Sequence, residues 1–179
     1  MRKRLFHFSD DPAIEVFDPR PVRVPSPRPE GMGWLNDPLV WAIDDVHAPL
    51  YLFPRDCPRI VMWRTPETSA GDADRYLDPA ARMTAFVEKE WVSRIDGAVL
   101  FRYELPVGLF VPLEDAGMHV ASERVRPLSC ERLSDLRRQL AIAKVTLRVL
   151  ESLSPLHDAW NSSLHVSGLR LRNSSGWAS

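Results

Sequence analysis

Leu5-Phe6-His7-Phe8-Ser9 changes character at every second residue. Successive side chains leave a pleated strand on opposite sides, so a strand here carries Leu5, His7 and Ser9 on one face and Phe6 and Phe8 on the other. The phenylalanines are expected to face the core, leaving His7 and Ser9 to offer a ring nitrogen and a hydroxyl to one ligand. Other short β-branched or aromatic runs bounded by turn residues extend the pattern. They predict strands at Arg4 to Phe8, Leu39 to Ile43, Arg59 to Trp63, Val99 to Leu105 and Gly117 to Ala121. A mostly antiparallel sheet is their simplest assembly.

Twelve of the sixteen prolines precede residue 80. Each removes a backbone donor and fixes φ, which excludes long helices from most of the first half. The densest stretch, Pro19 to Pro29, holds five prolines and three arginines and is expected to be extended, partly polyproline-like and mobile. It reads as a solvated connector, or as a basic flap over an anionic ligand. After Asp78-Pro79, the apolar residues Met83, Phe86, Val87, Trp91 and Ile95 recur at helical spacing and predict a helix. Leu133, Leu136 and Leu140 predict a second from about residue 130, followed by strand-like alternation at Val145, Leu147 and Val149. Residues 166–173 alternate again. The expectation is a single α+β domain over residues 1–173, a mostly antiparallel twisted sheet with a few packed helices, and a frayed tail over 174–179.

With 179 residues, 45% of them apolar and 26% charged, the chain is large enough to fold without disulfide or metal. The 23 basic and 24 acidic side chains give a net charge of -1, so no bulk field attracts nucleic acid or an anionic membrane. No apolar run approaches the roughly 20 residues of a membrane span. The basic start Met1-Arg2-Lys3-Arg4 is followed by Ser9-Asp10-Asp11-Pro12 rather than a long apolar stretch, which points to a cytoplasmic protein. Cys57 and Cys130 have no CxxC partner or Cys/His cluster, and no zinc site or disulfide framework follows. Arg55 and Arg59 flank Cys57 in sequence, which raises a reactive thiolate as one reading and an inert buried thiol as the other.

Three segments carry residues suited to chemistry. His7 and Ser9 lie on the first. On the second, residues 39–51, a buried strand passes into an acidic turn and then a short helix. Asp44, Asp45 and His47 are ligand types for a divalent metal, with His7 and Asp10 as possible additions, though Asp44 could equally cap the turn. On the third, Glu104 shares a strand face with Leu100 and Arg102, either as a catalytic carboxylate or as one paired with an arginine.

In order and spacing the three segments resemble the three-part signature of the ADP-ribosyltransferase superfamily, in its His-Tyr-Glu group. His7-Phe8-Ser9 is similar to the first-strand histidine motif, with Phe8 where that motif has glycine. Ala42 through Tyr51 is similar to the second motif, with Val40 or Trp41 in place of its first tyrosine and Pro49 interrupting its helix. Glu104 matches the glutamate of the third. The resemblance implies a split sheet and NAD as substrate. His7 would bond the adenosine-side ribose and Tyr51 would stack on nicotinamide. Glu104 would hold the other ribose and stabilise the positive charge of the transition state, while Arg55 or Arg20 would pair with pyrophosphate. It implies a transferase or an NAD glycohydrolase. The open alternatives are a non-catalytic small-ligand or partner-binding protein, and a metal protein using His7, Asp44 and His47. Over its whole length the chain resembles a bacterial family of unknown function, through Leu5-Phe6-His7-Phe8-Ser9, Tyr51-Leu52-Phe53-Pro54-Arg55-Asp56-Cys57-Pro58 and Arg170-Leu171-Arg172-Asn173.

Overall fold

A computed structural model describes residues 3–23, 25, 27–28, 30–113 and 115–177. The strands in chain order are β1 (Leu5–Ser9), β2 (Val40–Asp44), β3 (Arg59–Trp63), β4 (Met83–Glu88), β5 (Leu100–Leu105), β6 (Val111–Pro112), β7 (Met118–Ala121), β8 (Ser129–Leu133), β9 (Val145–Leu150) and β10 (His165–Leu169). Three short helices, α1 (Ala70–Tyr76), α2 (Val92–Gly97) and α3 (Leu136–Ile142), lie among them. The chain is therefore α+β, with two mostly antiparallel sheets. It divides into two compact units, residues 1–48 with 100–132, and residues 49–99 with 133–179.

The first unit holds the six-stranded sheet, ordered β6-β7-β2-β1-β5-β8. Antiparallel register pairs Leu5 with Leu105, Phe6 with Glu104, His7 with Tyr103 and Ser9 with Phe101. On the other side of β1, Leu5 pairs with Asp44 and Phe6 with Ile43. Directly opposed residues share a face, so the Leu5, His7, Ser9, Tyr103 and Leu105 side is one surface and the Phe6, Phe8, Arg102 and Glu104 side is the other. Leu5, Tyr103, Leu105, Val40, Ala42 and Ala121 form the core of the first surface with Phe17 and Val125. This corrects the expectation that the phenylalanine face is the core side. Phe6 is buried as well, but beneath the guanidinium groups of Arg4 and Arg102, 4.8 and 4.9 Å from its ring centre.

The second unit holds the four-stranded sheet, ordered β10-β3-β4-β9, with β4 and β9 parallel. All six residues of β4 are buried. This is where sequence and structure part: Met83, Phe86 and Val87 belong to a strand, and only Trp91 and Ile95 fall in the 3-10 turn and the short α2 that follow. A central strand covered on both faces loses its polar alternation, and a short apolar run then has no periodicity that separates it from a buried helix. Asp78 does not cap a helix. Its carboxylate accepts from the Ala80 amide at 2.9 Å and from the Thr146 hydroxyl at 3.0 Å, closing a turn onto β9. The predicted helix at 130 begins at Leu136, because residues 129–133 are β8. Helix α1, capped by the Ser69 hydroxyl on the Asp72 amide, was not anticipated.

Of the predicted extended segment 19–29, residues 24, 26 and 29 lie outside the described residues, as do residues 178–179 of the predicted tail. Arg20 forms an isolated antiparallel bridge with Leu39. The tail is tied at its start. Glu88, fully buried at the end of β4, accepts from the Leu153 amide (3.1 Å), the Ser174 hydroxyl and the Ser175 amide (3.0 Å to Oε2). Removing one buried acceptor strands several donors, at about 1–3 kcal/mol each when they stay dry. Glu88→Ala is expected to lower stability by about 3 kcal/mol in urea unfolding and to speed exchange of the Ser175 amide. An unchanged midpoint would refute the anchoring role.

Candidate functional site

Gly117 precedes β7 with φ +74°, a left-handed conformation that glycine adopts without penalty. Its carbonyl accepts two hydrogen bonds, from the Asp44 amide at 3.0 Å and from His119 Nδ1 at 2.8 Å. Its α-carbon faces the Asp44 and His47 side chains so closely that a Cβ would collide with His47 Nδ1 and lie 2.6 Å from Asp44 Oδ1. Asp44 Oδ1 in turn accepts from both the His47 amide and His47 Nδ1, each at 2.8 Å. The carboxylate thus closes the turn after β2 and orients an imidazole at once.

His119 lies opposite Ala42 of β2 and Pro112 of β6 and is 3% exposed. A carbonyl oxygen only accepts, so Nδ1 carries the hydrogen in its bond to Gly117, and Nε2 of the neutral ring holds a lone pair. That Nε2 is buried with no hydrogen-bond partner among the described residues. Burial holds the His119 imidazolium below the usual histidine range; Lys3 acts in the same direction, while the Gly117 carbonyl and Asp44 oppose it. His119 is a residue that sequence reasoning missed. Its alternation in Met118-His119-Val120-Ala121 was visible, but nothing marked its face as the one shared with Asp44.

His7 Nδ1 bonds the Trp41 carbonyl at 2.9 Å, and its ring lies 4.7 Å from that of Phe17. Ser9 is buried, its hydroxyl accepting from the Asp11 amide at 3.1 Å. Tyr103 Oη donates to the Asp11 carbonyl (2.7 Å) and accepts from the Ile14 amide (3.1 Å), fixing the loop that follows β1. His7, Asp44 and His119 all sit on this face of the sheet.

Glu104 does not. It lies opposite Phe6, on the other face, where Arg4 grips it with a two-pronged bond of 3.2 and 2.6 Å. Adjacent strands place directly paired residues on the same side, so His7 and Glu104, one register position apart, point to opposite sides of the sheet. The paired-carboxylate reading of Glu104 is the one this geometry favours. Tyr51 and Arg55 belong to the second unit. There the buried Arg59 donates to the Leu50 carbonyl (2.8 Å) and the Cys57 carbonyl (2.9 Å) and lies 5.7 Å from the Tyr51 ring. Burial pushes this guanidinium down to about 10, and its role is to staple residues 50–58. The Arg55 carbonyl accepts from Arg170 Nε at 3.2 Å. Cys57 is fully buried and its thiol is pushed up to about 12 by desolvation, which overrides the opposing charges of Arg59 and Arg94 and makes it the inert reading. Among the described residues no three His, Cys, Asp or Glu side chains are grouped so as to hold a metal ion. No helix among the described residues is long and apolar enough to cross a membrane.

Fold and site together define an α+β protein with a histidine- and carboxylate-bearing sheet face. The chain belongs to the Family of unknown function (DUF6886), whose model matches residues 6–174. No curated protein matches the chain, and no solved structure does. The family match brings no activity with it and lends no support to the ADP-ribosyltransferase resemblance.

Gly117→Ala is expected to lose on the order of 2–3 kcal/mol in thermal or urea unfolding, from positive-φ strain added to the clash with Asp44 and His47. It should also shift the His47 imidazole resonances. Wild-type stability in this variant would contradict the packing described.

Proposed function

We propose that the chain is a small-ligand-binding protein whose site is the His7, Asp44 and His119 face of the six-stranded sheet, with a nucleotide of the NAD type as the first ligand to test. The observation that carries this reading is the buried His119 Nε2, a hydrogen-bond acceptor without a partner among the described residues. Native interiors rarely leave such an atom unsatisfied, and an unfilled acceptor at a polar cluster is what a ligand donor completes. Group transfer through Glu104 is not part of the reading, because that carboxylate is committed to Arg4 on the opposite face. The protein in this view is a binder rather than an NAD-consuming enzyme.

Calorimetric titration with NAD, with ADP-ribose as comparison, tests the proposal. Saturable binding is expected, weakened about tenfold by His7→Ala and unchanged in Glu104→Gln, with no nicotinamide released. Absence of binding at millimolar NAD would overturn the choice of ligand. Nicotinamide release that Glu104→Gln abolishes without loss of fold would overturn the non-catalytic reading.

A further inference from the structure

The burial of His119 has a consequence for the sheet edge whether or not a ligand binds. The ring is 3% exposed, Nδ1 donates to the Gly117 carbonyl, and Nε2 has no hydrogen-bond partner among the described residues. While the ring is neutral, only a lone pair goes unmet. A proton on Nε2 would make it a buried donor without an acceptor and place a charge in a dry site, which is costlier. The surrounding groups do not compensate. Burial is the largest influence against the charged form, and Lys3, ahead of β1, adds to it; the Gly117 carbonyl and Asp44 of β2 favour the charged form but are outweighed. His47, in the turn after β2, is held on Asp44, and His7 of β1 on the Trp41 carbonyl. Asp18 and Arg124, next to the Phe17 and Val125 that cover this face, pair with each other at 2.6 Å. β6 supplies only Val111 and Pro112, neither of which titrates.

Relief requires water to reach the ring, and β7 has a neighbour on each side. β2 pairs with all of β7, from Val40 against Ala121 to Ile43 against Met118, and the Asp44 amide extends the ladder to the Gly117 carbonyl. β6 holds β7 only through Val111 against Val120 and Pro112 against His119, both β6 residues exposed at the edge of the sheet, and through the Leu113 amide on the Met118 carbonyl at 2.8 Å. Proline brings no amide to a ladder, and a short exposed edge has least to break on opening. We propose that β6 is a pH-sensitive edge: protonation of His119 releases β6 from β7 while β7 stays paired with β2. The sign follows from where the proton fits. A ring in water has the ordinary value of about 6.5 and the closed form lies below it, so the released form takes up the proton and acid favours release.

Amide hydrogen exchange of the intact protein, followed from pH 7.5 down through the titration of His119 and expressed as protection factors so that the intrinsic pH dependence cancels, tests this. The Leu113 amide is expected to lose protection below about pH 6.5, by up to tenfold per pH unit, the limit for one proton. The Asp44 amide, bonded to Gly117, is expected to keep its protection, and in His119→Phe the Leu113 protection is expected to be flat across pH. Parallel loss at Leu113 and Asp44 would mean that more than the edge opens and would overturn the proposal. So would a Leu113 amide whose protection is absent at pH 7.5 or unchanged by acid, or a pH dependence that survives in His119→Phe. Should that variant fail to fold, the wild type decides: Leu113 protection must level off at the pH where the His119 nitrogen-15 resonances titrate, and levelling at another pH rejects His119 as the trigger.

Discussion

One carbonyl oxygen organises the site. Gly117 accepts the ladder hydrogen bond of Asp44 and the side-chain hydrogen bond of His119 on the same atom, and its missing Cβ leaves the space that Asp44 and His47 fill. Three consequences follow from that arrangement. β7 is held in register against β2, the Asp44 amide and a neutral imidazole are tied to the same oxygen, and the imidazole tautomer is fixed with its lone pair inward. A different residue at 117 would have to give up the positive φ, the close approach or both.

Strand parity is the second constraint, and it decides between functional readings that residue types alone leave open. His7 and Glu104 are near neighbours through the β1–β5 ladder, so proximity suggests a shared cleft. Register places Glu104 opposite Phe6 instead, and alternation sends it to the far side of the sheet. There it pairs with Arg4, whose guanidinium also covers Phe6, while Arg102 covers the same ring and reaches Glu131. Glu104 thus belongs to an arrangement that shields an aromatic side chain from water. His7 belongs to the surface with Tyr103, Asp44 and His119.

Much of this was readable from residue order. The alternation of Leu5 to Ser9 located β1 within one residue and told which residues share a face, though not which face is the core, and the β-branched run Arg59 to Trp63 matched β3 end to end. The α+β class and the antiparallel bias followed from proline placement and short runs. What was not readable depended on contacts distant in sequence. β4 resembled a helix because burial on both faces erased its polar positions. Glu88 gave no local sign that it would be a buried acceptor for residues 153 and 174–175. His119 and Gly117 became interpretable only once β2 was known to lie beside β7, and Arg59 outweighed the more conspicuous Arg55 because burial, not sequence position, chose which arginine would staple the loop.

The central claim is that His119 is held neutral with its hydrogen on Nδ1 and its Nε2 lone pair turned into the protein. Nitrogen-15 spectra of the histidine side chains across pH 5 to 8 test it most directly. The account predicts a protonated Nδ1 and an unprotonated Nε2 at neutral pH, with titration below the ordinary value of about 6.5. Because the folded chain then binds fewer protons than the unfolded one, this group's contribution to stability is lost as pH falls below that ordinary value. A His119 that carries its hydrogen on Nε2, or that is doubly protonated at neutral pH, would contradict the account.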